Sequence, residues 1–204
     1  MLLPLGLLVL SAAAFSAELA PPPLFRQCDS RWGDDQMGTK GHGERSTICG
    51  EGCAMSCAAM ALAGAGFALP SKDPLAIDPG SLNAWLTHNH GYRCDAGDCN
   101  NLVLTAPDAL TGGRMRLIGE WNASDVSTKA LAAGIAADEV VFLAHVRNPE
   151  IPSHPVDHFV LLDSFDQTAD SFGVRDPFFN ETAYSRAQVA DYLQSLLRGT
   201  FVPF

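Results

Sequence analysis

The segment Gly50-Glu51-Gly52-Cys53-Ala54-Met55-Ser56-Cys57-Ala58-Ala59-Met60-Ala61-Leu62-Ala63-Gly64-Ala65-Gly66 organises the reading of this chain. From Cys53 onward it is small, apolar and free of β-branched residues. Ala and Met favour helix, and Gly64 and Gly66 supply a stop. A helix that is apolar nearly all round belongs inside a domain rather than on its surface. The rest of the chain is therefore expected to wrap around it.

On the N-terminal side, residues 23–48 are rich in Gly, Asp and Arg with little apolar periodicity, which predicts an ordered but irregular loop. On the C-terminal side a second helix is predicted over Pro79–Asn89, with Asp78 as N-cap and Pro79 at the first helical position. Its inner face is Leu82, Trp85 and Leu86, at i, i+3 and i+4. Residues 122–137 repeat the pattern, with Ser124 or Asp125 opening a helix that carries Leu131 and Ile135 inward. The signal then changes. Residues 139–147 (EVVFLAHVR), 157–163 (DHFVLLD) and 171–175 (SFGVR) read as strands rich in Val, Phe and Leu. The turn FDQTAD implies that the last two pair antiparallel, and residues 185–197 read as a final amphipathic helix. Helices first and an antiparallel sheet afterwards give an α+β domain with two lobes of unlike structure.

With 204 residues, the chain is long enough for one real core and too short for two generous domains. Residues 1–20 read as a signal peptide. MLLPLGLLVLSAAAFSA carries no side-chain charge, is too short to span a bilayer and runs into alanines that suit signal peptidase after Ala14, Ala17 or Ala20. Pro21-Pro22-Pro23 then forms a stiff spacer before a single domain over residues 21–204. After cleavage no stable membrane association is expected. The formal net charge of −10 and the scattered Lys and Arg exclude a nucleic-acid partner, because no basic run meets phosphates. Two N-x-[ST] sequons make Asn122 and Asn180 candidates for glycosylation on the surface.

Six cysteines, at 28, 49, 53, 57, 94 and 99, suggest disulfides in an oxidising compartment. Cys94 and Cys99 bracket the polar turn DAGD and close a small loop. Cys49, Cys53 and Cys57 crowd one short segment. A thiol in the first turn of a helix, as at Cys53, faces unpaired backbone N–H groups and the positive end of the macrodipole. Both favour thiolate over thiol. Glycines beside it let backbone approach a substrate carbonyl closely. These features suit a nucleophile, although a structural disulfide at a helix start has the same local sequence. A thiolate nucleophile also needs a base. His158 stands among apolar neighbours on a predicted strand, where an imidazole without a partner is expensive. Asp176, after the next strand, is brought beside it if the hairpin forms, and a carboxylate there would orient the ring. Asp157 and Asp163 are rivals, but period-2 alternation turns Asp157 to the opposite sheet face from His158.

These residues carry a family resemblance. FRQCDSRWG (25–33), TICGEGCAMSCAAMALAGAG (47–66), SLNAWLTHNHGY (81–92), VVFLAHVRNP (140–149) and HFVLLDSF with VRDPF (158–165 and 174–178) resemble the bacteriocin-processing (double-glycine leader) peptidase family and its secreted relatives in the papain-like superfamily. The resemblance spans most of the chain after the leader. It implies a papain-like two-lobed domain, with a central buried helix carrying the Cys packed on an antiparallel sheet carrying the His and Asp. It also implies that Cys53 attacks a carbonyl, His158 acts as base, Asp176 orients His158 and Gln27 helps hold the oxyanion, with Gln36 a nearby rival for the last role. The partner implied is a peptide or protein substrate, cleaved through an acyl-enzyme with no cofactor and no metal. Cys28, Cys49 and Cys57 are extra thiols relative to the family, which suits a disulfide-braced form in which Cys28 pairs with Cys49 or Cys57. Transporter domains of the family are absent from this sequence.

Other signals are set aside. His88-Asn89-His90 ends a helix, and Cys94 and Cys99 do not have the spacing of common zinc knuckles. His154 and His158 are separated by Pro155, which breaks a shared helical face. Asp95, Asp98, Asn100 and Asn101 lack the EF-hand pattern. Two rival functions remain: a catalytically silent binding module with Cys53 in a disulfide to Cys49 or Cys57, and a disulfide exchanger, which the lack of a CxxC motif disfavours.

Overall fold

A computed structural model of the chain describes residues 21–38, 46–71, 75–95, 98–122, 127–136, 140–147 and 157–201. The expected signal peptide (1–20), Ser124, Asp125 and His154 lie outside the described residues.

A single turn of helix, α1 (Ile48–Glu51), precedes the central helix α2 (Cys53–Gly64). Thr47 caps α1 by accepting from the Gly50 N–H, and Gly52 closes α1 while opening α2, so Cys53 is the first residue of α2. The all-apolar reading of α2 holds: Met55, Cys57, Ala59, Met60 and Leu62 are fully buried. A short hairpin, β1 (Ala68–Leu69) with β2 (Leu75–Ala76), leads to α3 (Pro79–His88). The start of α3 is as expected, with Asp78 accepting from Ser81 N and Pro79 at the first helical position. Leu82 and Leu86 are buried, and Trp85 packs half-buried against the same core.

A second hairpin, β3 (Tyr92–Asp95) with β4 (Asp98–Leu102), is closed by the Cys94–Cys99 disulfide. The short helix α4 (Ala106–Leu110) then leads to β5 (Met115–Asn122), α5 (Thr128–Ala136), β6 (Val140–Arg147), β7 (Asp157–Asp166) and β8 (Ser171–Arg175). The chain ends in β9 (Ala183–Ser185), α6 (Arg186–Tyr192) and β10 (Leu193–Phe201). The main sheet has the order β5-β10-β6-β7-β8-β9, with every neighbouring pair antiparallel. Mixed helices and antiparallel sheets make the chain α+β.

Alternation along the strands divides the core between the two sheet faces. Leu143 and Leu161 join the core around α2 and α3, while Phe142, Ala144, Val146, Val160 and Leu162 join a second core with Leu131 and Ile135 of α5 and Val189 of α6. Two expectations are corrected. The helix expected from residue 185 to 197 is only Arg186–Tyr192, and the remainder is β10, inserted between β5 and β6. The helix expected from residue 122 begins at Thr128, and Asn122 instead ends β5. In both places the cross-strand partners decide the outcome, and these are remote in sequence.

Candidate functional site

Four segments converge on Cys53. The first is the α1–α2 junction, where Gly52 is obligatory. A Cβ built there lies 2.4 Å from the Ile48 carbonyl oxygen and 2.8 Å from the Ile48 side chain. That tight junction is what puts Cys53 at the first position of α2, where its backbone N–H has no partner within the helix. Its side chain is half-buried, and its thiol is free.

The second segment is β7, which lies against α2. One helical turn beyond Cys53, the Cys57 thiol donates to the Phe159 carbonyl at 3.4 Å and so seats the helix on the strand. His158, the preceding residue of β7, is buried and lies close enough to Cys53 for the two to interact electrostatically.

The third is the turn after β8. Pairing of Leu161 with Arg175 at the end of the β7–β8 ladder leaves Asp176 just past the hairpin, within reach of His158 near the start of β7. The Asp176 carboxylate is fully buried, and its Oδ1 lies 2.8 Å from His158 Nε2. The same oxygen accepts from the backbone N–H groups of Phe178 and Phe179, each at 2.8 Å, while Oδ2 has no hydrogen-bond partner. With Nε2 engaged by Asp176, Nδ1 is the ring nitrogen left for Cys53. The Phe179 ring packs edge-on against the imidazole at 5.2 Å. Burial alone would push His158 down, but hydrogen bonds to Asp176 and Cys53, with their charges, outweigh it and raise the ring from 6.5 to about 9. The charged form of the ring is thereby favoured. Of the rivals, Asp163 is taken by Arg175, whose Nε donates to it at 2.6 Å. Asp157 stands at the start of β7, paired in register with Arg147.

The fourth segment carries Gln27, which is buried. Its backbone N–H donates to Pro177 O at 2.9 Å, beside the Asp176 turn, and its Nε2 donates to Cys49 O at 2.7 Å, in the turn that precedes Cys53. Its Oε1 is buried without a partner. Gln36, the rival, lies elsewhere: it bridges Thr47, and its carbonyl accepts from Asn83 Nδ2 at 3.0 Å.

The cysteines sort accordingly. Cys28 bonds Cys49 and Cys94 bonds Cys99, while Cys53 and Cys57 are free. Of the disulfide candidates, Cys57 is thus corrected. It faces inward from α2 onto β7, out of reach of the outer turn where Cys28 meets Cys49. Burial, then the charges of Cys53 and Asp176, push its thiol up, so it stays protonated. Asn180 is exposed, with Oδ1 accepting from Arg26 Nη2 at 2.9 Å. Among the described residues, no group of three or more His, Cys, Asp or Glu is placed to hold a metal ion, and no helix is long and apolar enough to cross a membrane.

Sequence reasoning missed Arg26, whose only signal was its place beside Gln27. The arrangement places a free thiol at a helix start, an imidazole beside it, and a buried carboxylate that fixes the ring. No family profile matches this chain, and no curated protein matches it.

Proposed function

We propose that the protein is a secreted cysteine peptidase or amidase of papain-like architecture, as the resemblance of its motifs implies. In this reading α2 and its surroundings form one lobe and the sheet carrying His158 and Asp176 forms the other. The observation that carries it is the chain of contacts from the Cys53 thiol through His158 to Asp176, with Nε2 of the ring held at 2.8 Å by a buried carboxylate.

The steps follow from that geometry. An imidazolium beside Cys53 is the counter-ion that a thiolate needs at neutral pH. The thiolate attacks the amide carbonyl, and the N–H of Cys53, which has no partner within the helix, receives the developing oxyanion. A Gln27 amide N–H not used by Cys49 is the second donor, and one such donor contributes about 3 kcal/mol in related chemistry. His158 gives its proton to the departing amine as the C–N bond breaks, leaving a thioester on Cys53. The now neutral ring takes a proton from water, the hydroxide displaces the sulfur, and the acid product leaves. Secretion is supported by the leader sequence and by the two disulfides.

The binding-module alternative places Cys53 in a disulfide, and the free thiol at Cys53 supports the enzyme reading over it. The proposal is tested by incubating the mature protein with a peptide library. Cleavage that disappears in Cys53→Ala, with a thioester trapped on Cys53 at low pH, supports it. Cleavage that persists in Cys53→Ala, or no covalent adduct with any electrophilic peptide, counts against it.

A further inference from the structure

We infer that Arg26 is a positioning residue for this site, clamping the turn that carries Asp176 so that the carboxylate meets His158. The inference rests on the functional reading above and names a part of the machinery that the reading leaves open.

Between the end of β8 at Arg175 and the start of β9 at Ala183 the backbone has no regular structure. The bonds from Phe178 N and Phe179 N to Asp176 Oδ1 fix the carboxylate to its own turn. The Gln27 N–H holds the turn to the rest of the protein at one point, the Pro177 carbonyl, and Arg26 holds it at three more oxygens. Its Nη1 donates to the Asp176 carbonyl at 3.1 Å and to the Phe179 carbonyl, and its Nη2 donates to Asn180 Oδ1 at 2.9 Å. One planar guanidinium thus spans oxygens on three residues of the turn, a geometry that a lysine ammonium, a point charge on a flexible stem, does not reproduce.

Arg26 is itself well held. Its carbonyl accepts from Trp32 Nε1 at 2.8 Å, the next residue pairs with Pro177, and Cys28 is bonded to Cys49. Residues 26–28 therefore tie the Asp176 turn on one side to the turn preceding Cys53 on the other. Neither Cys53 nor His158 is among the hydrogen-bond partners of Arg26, so its effect passes through Asp176.

The test follows the His158 ring by NMR titration in the mature protein, for wild type, Arg26→Lys and Arg26→Ala, with urea unfolding in parallel. The groups facing that ring are Asp176, Cys53 and the Phe179 ring, and none is altered by these changes. In both variants the ring is expected to titrate about one pH unit or more below wild type, a roughly tenfold change in its proton affinity. A merely structural arginine would lower the urea midpoint and leave the titration alone, and that result would overturn the inference. Should Arg26→Ala not fold, Arg26→Lys and Asn180→Ala carry the test. The loss of one contact in Asn180→Ala is expected to move the titration less than Arg26→Lys, and coincidence of both with wild type overturns the inference. If wild-type His158 already titrates near 6.5, both the inference and the reading of the site fall. If wild-type titration is high and only the Arg26 variants fail to move it, the inference falls alone.

Discussion

Replacing Asp176 by Asn isolates the charge in the His158–Asp176 pair. The shape is conserved, and the Asn side-chain carbonyl can keep the contacts of Oδ1 with Phe178 N and Phe179 N at 2.8 Å. What disappears is a buried negative charge beside a ring that is only 3% exposed. The rise of His158 from 6.5 to about 9 corresponds to about 3 kcal/mol favouring the charged ring, shared between Asp176 and Cys53. Because the folded value lies above the unfolded one, this stabilisation is fully present below pH 6.5. It fades as pH rises and is gone above about 9. Wild-type stability is thus expected to fall by up to about 3 kcal/mol between those limits, and Asp176→Asn to fall by less. NMR titration of the ring gives the cleaner answer. In Cys53→Ala the ring is expected to titrate above 6.5, held up by Asp176 alone. In the Cys53→Ala, Asp176→Asn double variant both raising partners are gone, burial is left unopposed, and the ring is expected below 6.5. A double variant whose ring still titrates above 6.5 would refute the reasoning, because some other group would then hold the charge.

Three further outcomes are expected. Removing the Cys28–Cys49 bond in a Cys28→Ala, Cys49→Ala variant opens a loop of sequence separation 21 and should cost about 3 kcal/mol in urea unfolding. Leu161→Ala deletes a side chain with no exposure from the core between α2 and β7, and should cost about 2–5 kcal/mol by the same assay. Gly52→Ala drives a methyl to within 2.4 Å of the Ile48 carbonyl, so the α1–α2 junction must shift. Alkylation of Cys53 in that variant should slow, even where circular dichroism shows the helices intact.

What the sequence disclosed was local. The start of α3 was legible because Asp78 and Pro79 are themselves the cap and the first turn, and α2 because its composition suits no other place than a core. The β7–β8 hairpin was legible from alternation around a polar turn, and its register follows closely enough to deliver Asp176 to His158. What could not be read depended on distant partners. Leu193, Leu196 and Leu197 have helical spacing, yet the segment pairs with β5 and β6 as β10. Residues 115–122 gave no strand signal strong enough to stand alone, and their place is fixed by β10. The choice between Cys49 and Cys57 for Cys28 was open because both lie within one turn of Cys53 along the chain. Only the packing of α2 on β7 shows that Cys57 faces inward.

The measurement that bears most directly on the central claim is the alkylation rate of Cys53 as a function of pH, located by mass spectrometry under native conditions, in wild type and in His158→Ala. The account predicts that Cys53 is modified well before the buried Cys57, and that near pH 6 the variant reacts at least about tenfold more slowly, since its thiol has lost the imidazolium beside it. Equal rates in the two proteins, or a Cys53 found bonded to another cysteine, would contradict it.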